Sequence, residues 1–191
     1  MVRIKALGIS MGLAAMTVAM AACGAGKPAT PAQAAPPAQA APPAQAAPPK
    51  LEIAAQIKVP DGNRLASTLD AGGVQVYQCT AGAWKLLEPG ATLSQSGKAV
   101  ALHSRGPVWV STVDGSAVNA APMPGASVAR PNAVPELLLK ATGTRGDGVF
   151  GKVTYVQRLA TEGGVAPSGS CSGDTQTAVP YTAVYAFYIA A

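Results

Sequence analysis

The longest stretch of alternating apolar and polar positions is residues 148–159, GVFGKVTYVQRL. Val149, Gly151, Val153, Tyr155, Gln157 and Leu159 fall on one face of an extended chain. Phe150, Lys152, Thr154, Val156 and Arg158 fall on the other. A period of two with β-branched and aromatic residues predicts one long, half-buried strand. The same pattern recurs on both sides. Residues 64–69 and 74–79 read as two strands, and the turn Asp70-Ala71-Gly72-Gly73 between them supplies the glycine a hairpin uses. Residues 84–88 form a strand that Pro89-Gly90 ends. Residues 98–104 and 108–113 pair across Arg105-Gly106-Pro107, and Asp114-Gly115 turns the chain into Ala117-Val118. The Pro-rich residues 121–135 read as a long loop. Residues 137–142 pair with 149–159 through a turn at 144–148. In the last strand, residues 181–189, Tyr181, Ala183, Tyr185, Phe187 and Ile189 share a face. Residues 135–139 are the single helical candidate. The expected fold is all-β: an antiparallel β-sandwich or barrel-like domain with at most one short helical turn.

The pattern breaks down before residue 51, and composition takes over. Arg3 and Lys5 precede an apolar run at residues 6–19, which is too short and too rich in Gly and Ala to span a bilayer well. It ends in Met20-Ala21-Ala22-Cys23-Gly24, small residues before a cysteine. This resembles a bacterial lipobox, in which the cysteine becomes the acylated first residue of the mature chain. The alternative is an ordinary signal peptide cut at an A-x-A-like site. Residues 1–22 are therefore expected to be a lipoprotein signal peptide, and Cys23 the lipidation site and contact with the membrane. More than one acyl chain on such a cysteine meets the requirement for stable anchoring. Gly24 after the cysteine resembles lipoproteins sent to the outer membrane, so the expected location is the periplasmic side of that membrane.

Residues 23–50 form a Pro/Ala-rich linker in which PAQAAP occurs at residues 31–36, 37–42 and 43–48. It has almost no large apolar side chain to bury. Such sequence favours polyproline II at about 3.1 Å per residue, a spacer between the lipid surface and the domain at 51–191. With Cys23 acylated, Cys79 and Cys171 are the remaining thiols in an oxidising compartment and are predicted to form a disulfide.

Charge then excludes one class of partner. The chain carries 14 Lys and Arg against 9 Asp and Glu. Arg3, Lys5, Lys27 and Lys50 precede residue 51, which leaves the domain close to neutral with scattered cations. No nucleic-acid footprint is expected.

Four blocks resemble the bacterial and fungal family called domain of unknown function 3455. They are VPDGNRLASTLDAGGVQVYQC, GPVWVSTVDGSAV, LLLKATGTRGDGVFGKVTYVQRLATEGGVAPSGSC and VPYTAVYAFY, in order across residues 59–188. The resemblance implies a secreted, β-rich domain and carries no activity or functional residue. Some relatives bear a malate dehydrogenase label. Residues 146–151, GDGVFG, do fit G-x-G-x-x-G. That motif holds a dinucleotide only where a strand precedes it and a helix follows. Here Lys152-Val153-Thr154-Tyr155-Val156 continues as a strand, so no cofactor is expected.

Histidine accounting narrows the chemistry further. His103 is the single histidine, so no multi-histidine zinc site is expected and no metal site is assigned. A hydrolytic reading would use His103 as base with Asp70 or Asp114 as orienter, yet no G-x-S-x-G supplies a serine. Trp84 and Trp109 lie near turns and are candidates for a flat platform against a sugar or similar ligand, with burial in the core as the alternative. Two functions stay open. One is a non-catalytic envelope module that binds a polysaccharide or protein partner or serves structurally. The other is a small-molecule hydrolase built on His103 and a carboxylate.

Overall fold

The computed structural model describes residues 53–191. The leader at 1–22 and the linker at 23–50, with Cys23, lie outside the described residues.

Eight strands alternate inward and outward and close on themselves. They are β1 (Asn63–Thr80), β2 (Ala83–Gln95), β3 (Lys98–Ser104), β4 (Val108–Ser111), β5 (Ala117–Arg130), β6 (Ala133–Arg145), β7 (Val153–Gly163) and β8 (Gln176–Ala190). Each pairs antiparallel with the next, and β1 pairs with β8. Of the two architectures left open by the sequence, this is the barrel. Closure leaves no strand edge for another chain to pair with.

An eight-stranded barrel is just wide enough for side chains to fill it. Small inward residues (Ala71, Ala91, Ala101, Ala120, Ala183) make room for the large ones: Trp109, Tyr181, Tyr185 and Phe187. The inward face predicted for β8 is correct, since Tyr181, Ala183, Tyr185 and Phe187 are all buried. A second cluster forms outside the wall. Ile57, from the 3-10 turn Ala55–Ile57, packs with Ala126 against Leu138, Leu159 and Ala186. Gln157 Nε2 donates to the Ile57 carbonyl at 2.6 Å and fixes that segment to β7.

Several predicted boundaries need correction. Residues 70–73 are not a hairpin: β1 runs straight through them, paired with β2 on one side and β8 on the other. Neither Gly72 nor Gly73 has a positive φ. A Cβ on Gly73 would strike the Gly90 carbonyl oxygen and Ala91, so this glycine serves close strand approach rather than turning. Pro89-Gly90 does not end a strand either. Both residues sit within β2, opposite Gln75 and Val74. The predicted loop at 121–135 is a hairpin of β5 and β6. Its prolines are tolerated because the ladder is irregular between Pro122 and Ser127. Residues 135–139 belong to β6 rather than a helix.

The long strand begins at Val153, not at 148, because residues 149–152 form a turn. That turn drives Phe150 into the barrel, where its ring lies 4.7 Å from Phe187. A register shift between Val153 and Tyr155 then moves Val153 to the interior, while Tyr155 and Leu159 face outward. The inward residues beyond the shift are Val156 and Arg158.

Candidate ligand-binding cavity

Phe150 closes the barrel at the end where β6 meets β7. The other end, beside the β3–β4 turn, holds a cavity of about 320 Å³. Its floor is made by inward side chains from six strands: Gln75 (β1), His103 (β3), Trp109 (β4), Leu139 (β6), Arg158 (β7) and Tyr185 (β8). Leu86, Glu88, Pro107 and Pro122 form its rim. The register explains the convergence, since Leu137, Arg158 and Tyr185 lie side by side across β6, β7 and β8.

His103 is 4% exposed. Its ring stacks on Trp109 at 4.3 Å and 3°, and meets the Tyr185 ring edge at 5.2 Å. Its Nδ1 lies 2.9 Å from the Val108 carbonyl oxygen. A carbonyl only accepts, so Nδ1 carries the proton and Nε2 carries the lone pair. Burial lowers its pKa from the usual 6.5 to about 4, the Val108 bond opposes that, and the Arg158 charge adds a little to it. The ring is therefore neutral at pH 7. Burial likewise raises Tyr181 and, far more, Tyr185, whose hydroxyls lie 3.4 Å apart.

The structure does not bring His103 together with Asp70 or Asp114. Asp70 is exposed. Asp114 organises the turn that places Phe150: it accepts from the Ser116 hydroxyl (2.6 Å), the Ser116 N–H (2.9 Å) and the Val149 N–H (3.0 Å). Those bonds, the Ser116 hydroxyl first, hold its carboxyl well below the ordinary carboxylate range. Glu88, the carboxylate at the cavity rim, pairs with Arg105 at 3.3 Å. No carboxylate hydrogen-bonds His103 among the described residues, so the parts of a hydrolytic pair are not assembled.

The two tryptophans are separated in role. Trp84 sits half-buried beside the β1–β2 turn, opposite Cys79. Trp109 is 1% exposed and belongs to the cavity floor, with one face covered by His103. They do not make one exposed platform. The glycine motif at 146–151 lies in the β6–β7 turn, with no helix after it.

Sequence reasoning missed Gln75, Arg158 and Tyr185 as cavity residues. Gln75 is fully buried, and neither its Nε2 nor its Oε1 has a hydrogen-bond partner among the described residues. The Trp109 Nε1–H also has none. Buried polar atoms are nearly always paired, so three orphans around one cavity are a feature to explain. The available signal was a polar side chain at an inward position of a strand that is otherwise apolar on that face.

The Cys79–Cys171 disulfide is formed, with the Cα atoms 5.7 Å apart. It ties the β7–β8 loop to the end of β1. In that loop Gly164, at φ 74°, accepts from the Tyr77 hydroxyl at 2.6 Å. A Cβ there would crowd Gln75 and Tyr181, so only glycine lets the loop settle over the cavity floor.

A closed eight-stranded barrel with a polar-floored cavity at one end defines a small β-barrel domain of the kind that can hold one small ligand. Within that class, the chain belongs to the family described as Protein of unknown function (DUF3455), whose model matches residues 60–189. No curated protein and no solved structure matches the chain.

Proposed function

We propose that this domain is a binding module that holds a small molecule in the mouth of its barrel, on a chain anchored to the cell envelope through lipid on Cys23. The observation that carries the reading is the cavity floor. Gln75 and Trp109 line it, and each carries buried polar atoms without a hydrogen-bond partner among the described residues, beside an apolar wall. A ligand toward which these side chains turn recovers hydrogen bonds the fold forgoes. The hydrolytic reading lacks comparable support, because His103 has no carboxylate partner among the described residues and is stacked within the wall.

The direct test uses Trp109 as reporter in a chain carrying Trp84→Phe. Small-molecule libraries should contain compounds that change its emission saturably, and Leu137→Trp, which fills the cavity, should abolish the response in a thermal-shift assay. Turnover of an ester, glycoside or phosphate that vanishes in a folded His103→Ala variant would overturn the reading.

The anchor is tested separately. Cys23 closes a leader with Arg3 and Lys5 and opens a Pro-rich spacer. The intact mass of the membrane-associated chain should begin at Cys23 and carry the acyl increment, and Cys23→Ser should move the protein to the soluble fraction. A mature chain with Cys23 unmodified refutes this part alone.

A further inference from the structure

We infer that the cavity takes a molecule with one carboxylate on an apolar body, the carboxylate being received by Arg158 and the Trp109 indole N–H. This deepens the barrel-mouth reading and rests on it.

The argument begins with Arg158. It is an inward residue of β7, half-buried, on the cavity surface. Its Nε and Nη2 both donate to the Pro135 carbonyl, at 3.0 and 2.9 Å. Those two bonds orient the guanidinium beside the Tyr185 hydroxyl. Arg158 forms no ion pair with a carboxylate among the described residues. The nearby acids are engaged elsewhere: Glu88 with Arg105 at 3.3 Å, and Glu136 with the Ala160 N–H at 2.8 Å and Arg130 at 3.8 Å. A partly buried positive charge without a counter-ion is costly, and an anion entering the cavity compensates it.

The second observation is independent of that charge. Trp109 lines the same cavity, and its Nε1, a donor only, is closed to solvent and has no partner among the described residues. The guanidinium offers donors to an anion as it stands, and the indole N–H joins it when the ring turns toward the cavity. The Gln75 amide, closed to solvent and unpaired at both ends among the described residues, adds a donor and an acceptor for the same molecule when its side chain turns toward it. The remaining wall, from Leu86, Leu87, Leu137, Leu139 and Pro89, is apolar. One cation matches a monoanion rather than a phosphate dianion. A cavity of about 320 Å³ is at the small end for ligand sites, which suits a body on the order of a dozen heavy atoms.

The experiment is calorimetric titration of the full chain carrying Cys23→Ser, which avoids detergents that would compete for an apolar cavity. The probes are octanoate and 3-phenylpropionate, their primary amides, their amines, and octyl phosphate. Each acid should bind at least tenfold more tightly than its amide, the gain expected of a charge-assisted hydrogen bond, and the amines should bind most weakly. Arg158→Gln should bring acid and amide within about threefold by weakening the acid alone, and Arg158→Lys should restore part of the preference. The acid-to-amide ratio of the unaltered chain decides the matter even if Arg158→Gln does not fold. Equal binding of acid and amide, or octyl phosphate binding as well as octanoate, overturns the carboxylate inference while leaving the barrel-mouth reading intact. If neither acids nor amides bind, the barrel-mouth reading fails and the inference falls with it.

Discussion

Replacing both Cys79 and Cys171 by alanine is expected to cost about 4–5 kcal/mol of folding free energy. The bridge spans 92 residues of sequence, and loop-closure entropy for a span of that size gives this magnitude. Structure remaining in the unfolded chain would reduce it. The bridge also acts locally. The β7–β8 loop is held to the β1–β2 end by few other bonds: Cys171 N–H to the Gly82 carbonyl at 3.2 Å, Cys79 N–H to the Thr175 carbonyl at 2.8 Å, and the Tyr77 hydroxyl to the Gly164 carbonyl at 2.6 Å. The same loop carries Gly164 over Gln75. Loss of the bridge should therefore lower the urea midpoint and raise amide exchange at residues 164–175 before the barrel strands open. An unchanged midpoint in the double variant, or in the wild-type chain under reductant, would show that the entropy argument fails here.

The alternation that made the strands legible explains what was and was not readable. It placed Tyr181, Ala183, Tyr185 and Phe187 on one inward face correctly, because β8 runs without a bulge through those residues. It failed on residues 148–159, where a turn inserts Phe150 and a register shift swaps the face of Val153. A period of two cannot register an extra residue, and one such residue moves every later side chain to the other face. It failed at Gly72-Gly73 because glycine has two uses, a positive φ and close approach. Only the barrel's geometry, with Gly73 against Gly90, selects the second. The prolines of β5 suggested a loop for a sound reason, the missing N–H, which the irregular ladder between Pro122 and Ser127 accommodates.

The candidate site was less legible than the fold. His103 stood out as a lone base, but its surroundings come from β4 and β8, distant in sequence. Gln75 and Arg158 were hidden by the assumption that a polar position on an alternating strand faces water. In a barrel with a cavity the reverse can hold: Gln75 is fully buried with an unpaired amide, and Arg158 is half-buried on the cavity surface. Trp109 lay beside a turn, where exposure is common, yet the following strand pairing carries it into the interior.

His103 supplies the last expected result: folding stability should fall by about 3 kcal/mol as pH drops from about 6.5 to about 4. In the unfolded chain the imidazole titrates near the ordinary 6.5, whereas in the barrel burial holds it at about 4. Between those values the unfolded state binds a proton that the native state does not, so acid favours unfolding across that window. Above it the ring is neutral in both states, and below it both are protonated, so the loss stops growing. Asp114 acts in a lower range. Its carboxyl is depressed from 3.8, so its contribution is present above about 4 and is lost only as pH falls further. His103→Gln, which can still donate to the Val108 carbonyl, should flatten the 6.5-to-4 limb and leave the lower one in place. The check is urea denaturation at half-unit pH steps, with the imidazole followed by NMR in the native protein. A native-state titration near 6.5, or a His103→Gln chain that keeps the same limb, would mean that the ring is solvated. It would then not be the neutral, stacked wall of the cavity, and its Nε2 lone pair would not be held ready for a donor on a bound molecule.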